Sequence, residues 1–247
     1  MNKFKIAFLS FVTLLTITAL PALSLAQSAD LSRPSLKTFD RSYRANPYFD
    51  HAVRNAMLYM DNQFNFANLR KLYSETSQYD PIGENVINQM QKLAFTVQTG
   101  KTTQERAKAI DEYRNLVMMH MGNIRVVAQA LSFTKLDKSF GRQRFFMWMR
   151  DGLVRSIMAV GDGNSINSAF YVFTMSEETV ILGQLGFKVL ETIQADQETL
   201  FYNMHDVEDI RTGQKKTLFI NTTQPMMFLR TRQAEEDSVS DFEILRQ

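Results

Sequence analysis

Apolar residues recur at helical spacing from Pro47 to about Ala159. Tyr48 to Asp61 carries Phe49, Val53, Met57 and Met60 on one predicted helical face. Phe64 to Glu75 is a shorter helix candidate, closed by the turn-like Tyr79-Asp80-Pro81. Glu84 to Gln98 aligns Val86, Met90, Leu93 and Val97, and Gly100 supplies a helix stop. Thr103 to Met121 runs through Ala107, Ile110, Tyr113 and Val117 before Gly122-Asn123. Ile124 to Leu136 and Ser139 to Ala159 form a further pair around Asp137-Lys138.

The last four of these helices read as two hairpins with a faint internal repeat. A shift of 37 residues lays Lys101 on Lys138 and Leu116-Val117 on Leu153-Val154. A period in the mid-thirties is that of a tetratricopeptide-type helix pair, which buries its apolar face by stacking on neighbours. The predicted N-terminal lobe is therefore a degenerate helical repeat.

After Gly161 the period changes. Ala169 to Thr174 alternates like a strand, with Phe170 and Val172 on one face and Tyr171 and Phe173 on the other. Ser176 reads as a helix N-cap, with Glu177 and Glu178 in the first turn, where the helix dipole favours negative charge. That helix stops at Gly186. Phe187 to Ile193, Leu200 to Val207 and Lys215 to Asn221 read as strands, and Arg211 to Gln214 as the hairpin turn between the last two. The predicted fold class is α+β: helical-repeat hairpins followed by a small antiparallel sheet with one helix.

The first residues bear on destination. Lys3 and Lys5 precede an apolar run from Ile6 to Leu20, Pro21 breaks it, and Ser24-Leu25-Ala26 is a small-x-small cleavage pattern. This is the layout of a secretory signal peptide, with cleavage expected after Ala26. The predicted division is signal peptide 1–26, polar leader 27–46, helical lobe 47–160, α+β lobe 161–229 and charged tail 230–247. Within that tail Phe242, Ile244 and Leu245 are apolar residues that could dock. Loss of Lys3 and Lys5 brings the basic count down from 28 to match the 26 acidic residues. A neutral mature chain argues against general binding to nucleic acid or anionic membranes, which needs clustered positive charge. The chain has no cysteine, so disulfides, thiolate catalysis and thiolate metal sites are all excluded. No second long apolar segment follows the first, so no stable membrane span is expected once the signal is cleaved.

Candidate chemistry concentrates in three places. The first is the loop Gly161-Asp162-Gly163-Asn164-Ser165, whose glycines could aim backbone N–H groups at an anion. It lacks the lysine and following helix of a phosphate-binding loop, and Phe173 stands where an EF-hand needs its bidentate glutamate. Turn chemistry accounts for the same residues: Gly161 caps a helix, Gly163 takes a positive φ, and the short polar side chains bond nearby backbone. The second is His205-Asp206, with Glu208 and Asp209, the best cluster for acid–base work. His120, in Met118-Met119-His120-Met121, reads as a partly buried packing residue or a helix C-terminal cation. No metal-binding or cofactor motif is complete. The third is residues 141–155, where Phe145, Phe146, Met149, Leu153 and Ile157 share one helical face. Met147 and Trp148 fall outside that stripe. With Arg144 and Phe145 they are the residue types that anchor protein interfaces.

Gly161, Asp162, Gly163 and Ser165, then Ala169-Phe170-x-Val172, Glu177-Glu178 and Leu185-Gly186 resemble a bacterial family, domain of unknown function 4919. Phe219-x-Asn221 with Pro225 is similar to its closing segment, so the resemblance is most specific over 161–225. It implies export and carries no activity to transfer. The residues taken together predict an exported, non-enzymatic module for a protein or peptide partner. The alternative is a hydrolase that assembles Asp162 with His205 or Asp206 in one cleft.

Overall fold

The computed structural model describes residues 46–138, 140–197 and 200–244, with side chains described as far as residue 234 apart from Gln197. The expected signal peptide and most of the leader lie outside the described residues.

The fold is α+β, with eight helices and a four-stranded sheet among the described residues. Six helices come first: α1 (Pro47–Tyr59), α2 (Phe66–Ser74), α3 (Glu84–Thr99), α4 (Thr103–Met119), α5 (Ile124–Leu136) and α6 (Gln143–Met158). Their starts follow local chemistry. Asn46, Asn65, Thr102 and Asn123 each accept a backbone N–H of the first turn of α1, α2, α4 and α5. Pro47 opens α1, where its missing N–H costs nothing. α3 packs along α4 and α5 along α6.

The chain then passes through a single 3₁₀ turn (Ile166–Ser168) into β1 (Phe170–Tyr171), α7 (Ser176–Gln184), β2 (Phe187–Gln197), β3 (Leu200–Asp209), β4 (Lys215–Asn221) and α8 (Thr223–Ile244). The sheet order is β1-β4-β3-β2. β2, β3 and β4 are antiparallel, and two-residue β1 adds in parallel on β4. The strand expected over 169–174 is thus much shorter: Val172 N–H still bonds the Asn221 carbonyl at 3.1 Å, but the Phe173 N–H turns to Glu177 at 2.8 Å and the chain leaves the sheet for α7. Ser176 gives α7 no side-chain cap; the Glu177 N–H bonds the carbonyl of Thr174 instead.

Two sequence boundaries differ from the structure. The core is continuous across the expected lobe junction at 160, since Ile181, Val207, Leu218 and Ile220 belong to the same cluster as Phe49, Met90, Met149 and Ile157. The segment expected as a charged tail from 230 continues α8 as far as Ile244. α8 starts after Thr222 and is seated by Phe228, whose ring meets Tyr79 edge-on at 4.7 Å, and by Arg230, which lies 4.1 Å over the Phe201 ring. Anchored at its first turns, the helix continues through a sequence free of glycine and, after Pro225, of proline. No helix among the described residues is long and apolar enough to cross a membrane.

Candidate functional site

The first turn of α7 holds two consecutive glutamates, and a helix turns about 100° between neighbours, so the two carboxylates serve different partners. Glu177 reaches the helical side. Arg70 of α2 donates to it from Nε at 3.0 Å and from Nη2 at 2.6 Å. Both side chains are within 1 % of complete burial. The Phe173 N–H donates to the same carboxylate at 2.8 Å, and Arg70 Nη2 also donates to the Tyr171 carbonyl at 2.9 Å. A buried pair is tolerable only when such additional bonds satisfy its remaining atoms.

Glu178 reaches the sheet. It accepts two bonds from Asn203 Nδ2, each 2.9 Å, and lies 3.0 Å from His205 Nε2. His205 Nδ1 is 2.9 Å from the Thr192 hydroxyl on β2. In the neutral ring Nε2–H donates to Glu178 and Nδ1 accepts from Thr192. A carboxylate–imidazole pair is what general-base chemistry uses, but here Thr192 and Asn203 occupy the groups around it. His205 belongs to the inner face of β3.

Asp206, the next residue, belongs to the opposite face and accepts from the Thr217 hydroxyl at 2.6 Å. Asp162 stands elsewhere again. It accepts from Ser168 Oγ at 2.6 Å and from the Asn164 N–H at 3.0 Å. These bonds, that from Ser168 first, hold its pKa down at about 2. The three candidate acids and bases therefore have three separate sets of partners, and the expected Asp162–His205 or Asp162–Asp206 constellation is not formed. Among the described residues no group of three acidic or histidine side chains is placed to hold a metal ion.

The Gly161–Ser165 loop is a clasp on the sheet. Gly163 N–H bonds the Ser168 carbonyl at 2.8 Å, and Phe219 N–H of β4 bonds the Gly163 carbonyl at 2.8 Å. Gly163 has φ of 71°, and a Cβ there would stand 2.6 Å from the Phe170 ring. At Gly161 a Cβ would overlap the Ser168 carbonyl. Ser165 caps the 3₁₀ turn, and Gly186, with φ of 75°, turns the chain from α7 into β2.

His120 is buried at the end of α4, and burial pushes its pKa down to about 4, so of the two expected readings the packing residue holds and the cation does not. Tyr73 Oη accepts from the Asp80 N–H and lies 2.9 Å from His120 Nδ1.

α6 divides its residues as the wheel predicts, with Phe145, Phe146, Met149, Leu153 and Ile157 all buried. Trp148, expected as an exposed anchor, is half-buried against Phe66 and Phe64, with ring centroids 4.9 and 5.6 Å away. The loop before α2 folds over it, which periodicity within α6 could not reveal. Met147 is 42 % exposed and Arg144 is exposed. Phe145 instead helps to line a cavity of about 110 Å³ between the end of α1, the end of α4 and the start of α6. Met57, Met60, Met118, Met121 and Phe146 complete its apolar wall. Arg114 and Arg142 also line it. Arg114 is bridged to Asp111 at 2.9 Å, and exposed Arg142 stands at the uncapped start of α6.

Arg70, Asn203 and the methionine cavity escaped the sequence reading, and Glu177 and Glu178 were read as first-turn acids without their partners. Arg70 left one trace: it sits four residues after Phe66 and three before Tyr73, on the apolar stripe of α2. No protein-family model, curated protein or solved structure matches the chain.

Proposed function

We propose that this protein is an exported, non-enzymatic module that binds a protein or peptide partner, and that the cavity between α1, α4 and α6 receives an apolar side chain of that partner. Export rests on the signal-peptide pattern of residues 1–26, and membership of the domain of unknown function 4919 family on the residues quoted over 161–225. The observation that carries the binding reading is the cavity itself. Its methionines are unbranched and polarizable, so they re-pack around differently shaped apolar groups. At about 110 Å³ it is smaller than the apolar cavity of about 150 Å³ that holds benzene, so it takes a branched side chain as it stands and one ring once its flexible methionines shift. The buried Arg70–Glu177 and Glu178–His205 pairs fit a scaffold role, because their hydrogen bonds are directed to groups of the protein itself.

The test is a fluorescence-anisotropy screen of short peptides carrying one central Phe, Leu or Met. Binding that weakens in Met57→Glu and Arg142→Glu, with circular dichroism unchanged, supports the reading. Absence of binding, or binding indifferent to both substitutions, sinks it.

A further inference from the structure

We infer that the partner of this cavity is a second copy of the same chain: residues 235–245 of one molecule enter the cavity of the other, with Phe242 as the apolar anchor and Asp241 and Glu243 beside Arg142. This inference rests on the binding reading above and names its occupant.

Three observations lead to it. First, α8 is seated near its start, by Phe228 on Tyr79 and Arg230 on Phe201, and Thr231 to Ala234 are exposed. Beyond them the sequence reads Glu-Glu-Asp-Ser-Val-Ser-Asp-Phe-Glu-Ile-Leu, with five acids and no base. Val239 and Phe242 are three apart within the helix, so they share a face. A helical turn with an apolar face gains most of its stability by packing that face against something.

Second, the cavity complements this segment in size and charge. Its volume of about 110 Å³, walled mainly by methionine and phenylalanine, is close to that of one ring. The arginine at its edge, Arg142, has no acidic residue beside it in the first turn of α6. An acid–aromatic–acid triplet thus offers both the anchor and the countercharges, and complementary potentials of this kind fix register.

Third, the geometry favours exchange between molecules over self-insertion. Leu116, Met119 and His120 line a groove shared with Phe228 and Arg232 of α8, whereas Val117, Met118 and Met121 line the cavity. α8 therefore sits on one face of α4 and the cavity on another. A continuous helix carries Phe242 about 15 Å onward from Arg232 along its own axis. In a reciprocal pair each copy supplies one segment and one cavity, and two-fold symmetry closes the assembly as a dimer.

The experiment is light scattering coupled to gel filtration on the mature chain across about a hundredfold range of concentration. The expected result is a dimer at the upper end, and monomers throughout for Phe242→Glu and for Arg142→Glu. Mixing Arg142→Glu with Asp241→Arg/Glu243→Arg is expected to restore a heterodimer. In addition, a labelled peptide of residues 235–247 is expected to bind the full-length Phe242→Glu chain, and roughly tenfold or more weakly once Arg142→Glu is added. A monomer at every concentration, or a dimer that survives both single substitutions, overturns the inference. If the cavity binds other apolar-anchored peptides but not residues 235–247, this inference fails while the binding reading stands; if it binds none, both fail.

Discussion

Arg70 and Glu177, 107 positions apart in sequence, meet at 2.6 Å with both side chains buried. They join α2 to α7 inside the common core, and Glu178 extends the connection to Asn203 and His205 on β3. The two halves of the chain are thus locked by charge as well as by apolar packing. Arg70→Ala is expected to lower unfolding free energy by about 3–5 kcal/mol, because it strands a buried carboxylate. The double change Arg70→Met/Glu177→Leu is expected to recover a large part of that loss. Urea unfolding measures both, and a loss below about 1 kcal/mol for Arg70→Ala would show that the pair does not stabilise the fold.

His120 makes stability depend on pH. Its folded pKa of about 4 lies below the ordinary value of 6.5, and burial is the cause, with the Asp80 charge acting the other way. The unfolded chain therefore binds the proton more readily. Stability is fully present above pH 6.5 and falls as pH drops toward 4. The loss attributable to this residue is about 3 kcal/mol over that window. Unfolding curves at pH 7 and pH 5 should diverge for wild type and converge for His120→Gln; equal divergence in both would assign the effect to other groups.

Gly163 and Gly213 allow a controlled contrast. Both have positive φ, 71° and 72°, but a Cβ meets the Phe170 ring at Gly163 and nothing within 4 Å at Gly213. Gly213→Ala is expected to cost about 1 kcal/mol, the penalty of left-handed backbone alone. Gly163→Ala adds the clash and is expected to cost about 2–4 kcal/mol. Thermal melting of the two variants decides it, and equal shifts would mean that the clasp yields without strain.

Trp148 separates packing from recognition. Trp148→Ala removes its contacts with Phe64 and Phe66 and is expected to destabilise by about 2 kcal/mol, less than for a fully buried ring. Peptide affinity at the cavity, which Trp148 does not line, is expected to stay within about twofold, in contrast to Arg142→Glu. A selective loss of binding with stability intact would return Trp148 to the interface.

Periodicity located α1 to α6 within a few residues, because a helix that packs on one side must repeat its apolar positions at about 3.6 residues wherever it sits. The same holds for β3 and β4, whose connecting turn contains Gly213 at positive φ. α8 was missed because what seats it, Phe228 on Tyr79 and Arg230 on Phe201, comes from elements far away in sequence. Trp148 was misplaced for the same reason, since the loop that covers it lies more than eighty residues earlier.

From its own residues the chain determined the α+β class, the switch from helix to strand at Gly161–Gly163, and the turn chemistry that makes the switch, all local preferences of backbone and period. Tertiary structure alone decided which charges are buried, that His120 is buried and neutral, and that four methionines from two helix ends line one cavity. Those outcomes depend on burial and distance between segments scores of residues apart, and neither quantity is encoded in spacing along the chain.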